Sequence, residues 1–121
     1  MSHKNEYADF VAALTKSGEV ILDELTPHDA NVMHLALGVC GEAGELADAI
    51  KKAAIYRKPI DLANVVEELG DLEFYMEGVR QAYGITRLGT LQHNRAKLSK
   101  RYAKGYSNQQ AQDRADKQEA L

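Results

Sequence analysis

The 121-residue chain contains two prolines, Pro27 and Pro59, and their placement fixes most of what it can fold into. Proline suits the first turn of a helix and blocks a helix anywhere later. Thr26 supplies a capping side chain just ahead of Pro27, and Asp29 completes a capping box. Nothing breaks the helical pattern before Pro59, so a long helix is expected from there to about Tyr56. Asp61 caps a second one, which runs to about Tyr83 and ends at Gly84. Upstream, a helix is expected over about Asn5 to Thr15, with Tyr7, Phe10, Val11 and Leu14 on one side. "TKSGEV" interrupts it, and the stretch up to Leu25 has no decisive period. Thr86 caps a last helix to about Tyr102, striped by Leu88, Leu91, Leu98 and Tyr102, with Gly105 as the stop. The tail "SNQQAQDRADKQEAL" is polar and is expected to be frayed, disordered, or helical only on a partner. The class is therefore all-α, a bundle of four to five helices, with one domain over residues 1–106 and a polar tail over 107–121.

Bulk properties exclude several functions. The hydrophobic fraction of 45% and charged fraction of 27% are those of a globular protein. A net charge of −3 speaks against nucleic acid and against a membrane surface as partners. No run approaches the roughly 18 apolar residues of a membrane span. "MSHKNEYADF" lacks the apolar stretch of a signal peptide. The expected location is the cytoplasm. Cys40 is the only cysteine and is expected to be a buried thiol in a reducing compartment. His3, His28, His34 and His93 have no zinc-ligand spacing with it.

At about 100° per residue, the helix after Asp61 sorts cleanly. Leu62, Val65, Val66, Leu69, Leu72, Met76, Val79 and Tyr83 share one broad face. Glu68, Asp71 and Tyr75 run along its edge at spacings of three and four, with Asn64 above them. Glu73 falls inside the apolar face, which requires a partner for it or a less buried face. Phe74 points to the opposite side and hints at a second buried surface, hence at oligomerisation. On the preceding helix, Leu35, Val39, Ala43, Leu46, Ile50 and Ala53 are apolar, and Glu42 and Glu45 lie to one side. Gly38, Gly41 and Gly44 each cost that helix about 1 kcal/mol relative to Ala. Close approach of a backbone or ligand is the expected compensation.

Packing the two apolar faces antiparallel brings Glu42, Glu45, Glu68 and Asp71 together. Four like charges in a partly buried site need protons or a cation. An all-carboxylate set without histidine suits a hard ion, Mg²⁺ or Mn²⁺. Between Arg87 and Lys104 there are six Lys and Arg residues and no acidic ones, whereas Glu42 to Glu77 carries nine acidic residues against four basic. An acidic half for a metal and a cationic last helix match the needs of a polyphosphate. A solvated basic face is the plain alternative.

"GEAGELADAI" followed by "VVEELGDLEFY" resembles the MazG-like all-α nucleoside triphosphate pyrophosphohydrolases. Their pattern is Glu-Glu-x-x-Glu on one helix and Glu-x-x-Asp on the next. Here 22 residues separate Glu45 from Glu68, and the resemblance extends from about Leu35 to Tyr106 through the basic "HNRAKLSKRYAKGY". It implies a bundle of that family's type and Mg²⁺-dependent hydrolysis of a nucleoside triphosphate to the monophosphate and pyrophosphate, a nucleotide house-cleaning reaction. Glu42, Glu45, Glu68 and Asp71 would be metal ligands, with Glu42 or Glu45 as the base for water. Tyr75 would lie near the nucleotide, and Asn94, Lys97, Arg101 and Tyr102 would contact phosphate or sugar. A homo-oligomer, dimer or tetramer, is implied as well. Gly41 stands where the family pattern has its first Glu, and there is no Trp to stack on a base. Two rival readings remain open: a non-catalytic helical interaction module, and a hydrolase of another phosphorylated nucleotide metabolite.

Overall fold

The structure, a computed structural model, describes residues 5–118. His3 and the last three residues of the tail lie outside them. The element order is α1 (Glu6–Leu14), α2 (Gly18–Glu24), α3 (Pro27–Ile55), α4 (Leu62–Ala82), α5 (Arg87–Arg101), α6 (Asn108–Asp113) and α7 (Ala115–Gln118). Among the described residues there is no strand, so the chain is all-α, with five helices up to residue 101 and two short ones in the tail.

The helix ends are set by local chemistry. Thr26 and Asp29 form the reciprocal capping box at the start of α3, each hydrogen bond being 3.1 Å. Asp61 and Thr86 cap α4 and α5 through their side chains. Helix α3 ends with Arg57 in the left-handed region at φ 53°. The Lys58 N–H then donates to the Ala53 carbonyl at 3.0 Å, closing a Schellman turn just before Pro59. The same turn ends α4, with Gly84 at φ 66° and the Ile85 N–H on the Arg80 carbonyl at 2.8 Å. The ambiguous stretch before Leu25 is α2. Ser17 caps it by accepting from the Val20 N–H, and Lys16 pairs with Glu24 beside it.

Helices α3 and α4 form an antiparallel hairpin, the one extensive inter-helix contact among the described residues. Two glycines set its spacing. A Cβ on Gly38 would overlap the Tyr75 ring, and one on Gly78 would meet Leu35 Cδ2 at 2.8 Å. Around these contacts Val32, Leu35, Val39, Leu46, Ala49 and Ala53 of α3 are half-buried against Val65, Leu72, Met76 and Val79 of α4.

This seam is narrower than the broad faces expected from the sequence. Leu62, Val66, Leu69 and Tyr83 remain exposed on α4, as do Ala43 and Ile50 on α3. No hydrophobic residue among the described ones is fully buried; Arg80 is the one buried side chain. Its guanidinium is held by Glu77 at 2.9 Å and Glu73 at 3.3 Å. Glu73 thus finds its partner on its own helix, and the face around it is less buried than the pattern implied. Cys40 is exposed rather than buried. Only grazing contacts join α1, α2 or α5 to the hairpin.

The tail is ordered beyond expectation. Arg101 Nε donates to Asp116 Oδ1 at 2.9 Å, with both side chains largely covered, and this pins α7 to α5. Ser107 caps α6 through its hydroxyl. No helix of the described residues is long and apolar enough to cross a membrane.

The glycine contacts generate a paired expectation. Gly41 has open space around it, so Gly41→Ala should stabilise the protein by up to about 1 kcal/mol through helix propensity. Gly38→Ala gains the same propensity but forces the Tyr75 ring aside, an overpacking that costs about 1–3 kcal/mol. Urea unfolding should place the Gly38→Ala midpoint below that of Gly41→Ala. Equal midpoints would show that Tyr75 does not rest on Gly38.

Candidate functional site

The hairpin register determines which carboxylates meet. Reading away from the α2 end, the seam passes from Leu35 on Gly78 to Gly38 under Tyr75, and then reaches Glu42 opposite Glu68 and Asp71. One oxygen each from Glu42, Glu68 and Asp71 lies within 4.8 Å of the others. Glu42 and Glu68 are half-buried, and Asp71 sits at the exposed lip. Both glutamates therefore lie in the seam, not along an edge outside it.

Glu45 is exposed and stands outside that close trio. It remains near enough to act on it. Burial pushes the Glu68 carboxyl up from 4.5 to about 7, reinforced by Glu45 and then Glu42. The Glu42 carboxyl is raised too, first by burial and then by Glu45 and Asp71. These are the shifts expected when several carboxylates share a poorly solvated space.

A second feature marks the same point. Glu42 Oε2 and Glu68 Oε2 are buried and have no hydrogen-bond partner. Buried polar atoms are nearly always satisfied, and two unsatisfied ones in one cluster require a reason. A proton shared between them or a cation between them would supply it. Three hard oxygen donors at this spacing fit Mg²⁺ or Mn²⁺ in donor type.

The aromatic wall beside the acids is Tyr75. Its half-buried ring fills the space over Gly38 and meets His34 edge-on at 6.5 Å and Phe74 at 5.2 Å. Phe74 itself is 69% exposed. The sequence pattern does not single out His34, although its position one helical turn before Gly38 is the available signal. A methyl group added at Gly41 or Gly44 would meet nothing within 4 Å, so the close approach inferred for all three glycines holds at Gly38.

The cationic residues lie apart. Asn94, Lys97, Arg101 and Tyr102 are on α5 or at its C-cap, and α5 packs on α6 and α7 rather than on the hairpin. Asn94 is exposed, whereas Lys97, Arg101 and Tyr102 are half-buried. The Tyr102 ring meets Tyr106 at 5.2 Å. Within one chain the structure brings Glu42, Glu68 and Asp71 together, with Glu45 and Tyr75 beside them, and does not bring the basic helix to them.

Comparison of the chain with family models, with curated proteins and with solved structures returns no match.

The raised carboxyls fix the sign of a pH dependence. Between about pH 4.5 and 7 the folded protein binds more protons at Glu68 than the unfolded chain does, so stability falls as pH rises through that window. Carboxyls held low, such as Asp29 and Glu77, exert their effect below the ordinary carboxylate range and stay out of it. In EDTA, the melting temperature should drop from pH 5 to pH 8, and Glu68→Gln should flatten that drop. An unchanged slope in the variant would remove Glu68 from the cluster.

Proposed function

We propose that the chain is a Mg²⁺-dependent nucleoside triphosphate pyrophosphohydrolase, converting a (deoxy)nucleoside triphosphate and water to the monophosphate and pyrophosphate. The observation that carries this reading is the pair of buried, unpartnered oxygens on Glu42 and Glu68 beside Asp71. The Glu-x-x-Glu and Glu-x-x-Asp spacing and the resemblance to MazG-like enzymes give that pair its chemistry.

Glu42, Glu68 and Asp71 would hold the metal, with Glu45 at the rim. Once bound, Mg²⁺ or Mn²⁺ polarises a phosphoryl oxygen and acidifies water. Glu42 and Glu68 give up their shared protons when the cation arrives, which converts the repulsive set into a ligating one. Glu45, outside the close trio, is the better placed of Glu42 and Glu45 to accept a proton from the attacking water, because a carboxylate that ligates a metal is a poor base. Tyr75 walls the seam on one side and offers a ring edge to the nucleotide.

A homo-oligomer belongs to this reading. The chain exposes 10114 Å², against about 6500 Å² for a folded monomer of its mass by size scaling. The excess, about 3600 Å², is well above the roughly 800 Å² that one partner gives to a standard interface and belongs with obligate assemblies. The exposed Phe10, Leu14, Val66 and Phe74 are the kind of surface such an interface covers. A second copy would also be the source of cations near the carboxylates, since α5 does not reach them within one chain.

The test incubates the protein with Mg²⁺ and a panel of ribo- and deoxynucleoside triphosphates and assays pyrophosphate and orthophosphate separately. Pyrophosphate release is expected, abolished by EDTA and reduced about 10²-fold or more by Glu68→Ala, the scale of losing one electrostatic contact to the transition state. No turnover of any nucleotide with Mg²⁺ or Mn²⁺ would overturn the enzyme and leave the interaction module. Orthophosphate alone would mean that another bond is cut. Light scattering should give a mass of two or four chains, and a monomer at micromolar concentration would contradict the assembly.

A further inference from the structure

The tail sets a carboxylate on the helix that carries the chain's densest positive charge. Asp116 reaches back 15 residues to Arg101 Nε at 2.9 Å, and the two side chains are only 12% and 15% exposed. Next to this pair, α5 and α7 enclose a cavity of about 310 Å³ lined by His93, Ala96, Lys97, Lys100, Asp116 and Lys117. The lining contains three lysines and a histidine, and Asp116 is its one carboxylate. The lining carries more positive charge than that carboxylate neutralises.

The Asp116 contact runs through a single Nε–H of a guanidinium that can present a fork of donors. A phosphate has more oxygens and more charge, and it matches that fork better than a carboxylate holding one N–H. The holding segment is also slight. Helix α7 spans four residues and is joined to α6 through Arg114, whose φ of 47° lies in the left-handed region that L residues adopt only under strain.

We propose that the cleft between α5 and α7 is an oxyanion site of the phosphate class, and that α7 is a strap whose Asp116 occupies Arg101 until a phosphate group displaces it. The site lies apart from the carboxylate cluster of the same chain and does not depend on it. Asp116 acts as an internal competitor. It keeps Arg101 from weak or singly charged anions and yields to a polyphosphate, which also engages Lys97 along the cleft.

Inorganic tripolyphosphate is the probe, titrated calorimetrically into the full chain in EDTA, so that no metal bridges it to the carboxylates. Asp116→Asn should bind it about three- to tenfold more tightly than the native protein, the scale of releasing one ion pair. Asp23→Asn removes an exposed charge on α2 and should leave the affinity within about twofold, which controls for net charge. Lys97→Gln leaves the Arg101–Asp116 pair in place and should weaken binding at least about threefold. Helix content by circular dichroism identifies any variant that fails to fold; Asp116→Asn and Lys97→Gln test the proposal separately. Asp116→Asn binding no tighter than Asp23→Asn overturns the strap, and unchanged affinity in Lys97→Gln overturns the cleft. Tripolyphosphate affinity in EDTA reads the cleft alone, and pyrophosphate release with Mg²⁺ reads the carboxylates, so either idea can fail without the other.

Discussion

The contact of Tyr75 on Gly38 sets the spacing on which the remainder of the hairpin depends. A residue larger than glycine at position 38 would push α4 away from α3 or turn the ring out of the seam. The Gly78–Leu35 contact repeats the arrangement one helical turn further on, with the small residue on the other helix. Together they lock an antiparallel register. That register, not any direct attraction, is what places Glu42 across from Glu68 and Asp71. Like charges do not assemble themselves; apolar packing on one side of them holds them in place. The site is therefore a consequence of the seam, and its repulsion is a load that the seam bears until a proton or a cation relieves it.

Helix boundaries are legible in the sequence because each is written in a few residues. Thr26, Pro27 and Asp29 specify the start of α3, Asp61 that of α4, and Gly84 its end, and each acts through a hydrogen bond within four or five residues. The acidic cluster is legible in composition but not in detail. A helical wheel gives angles, and it places the acids at the edge of a broad apolar face. The structure puts Glu42 and Glu68 inside a narrower seam because the small residues Gly38 and Gly78 draw the helices together along that line, leaving Val66 and Leu69 outside. Glu45, one turn from Glu42 on the same wheel, falls outside the trio for the same reason: a rotation of a few tens of degrees separates seam from rim.

What pattern reading misses depends on contacts distant in sequence or on partners. Cysteine's character as a small hydrophobe predicts Cys40 inside, and it is exposed because the face of α3 that carries it packs on nothing within the chain. The tail has almost no aliphatic residues, which predicts a loose segment. One ion pair across 15 residues orders it instead, and no local periodicity announces such a pair. The stretch holding α2 is opaque because seven residues are too few to show a helical period, although Ser17 is in place to cap it.

The distribution of charge ties these observations together. The acids are concentrated on the hairpin, the cations on α5, and the two do not touch within one chain. Intramolecular neutralisation would have paired them and consumed both. Separation leaves each half with unspent potential. The carboxylates stay strained enough to raise a pKa to about 7, and on α5 it is a carboxylate of the tail, not of the hairpin, that meets Arg101. A polyphosphate with its divalent ion carries the complement of both halves, negative oxygens for the helix and a cation for the hairpin. The exposed apolar faces then have a geometric role, because only an assembly that covers them can carry α5 of one copy toward the hairpin of another.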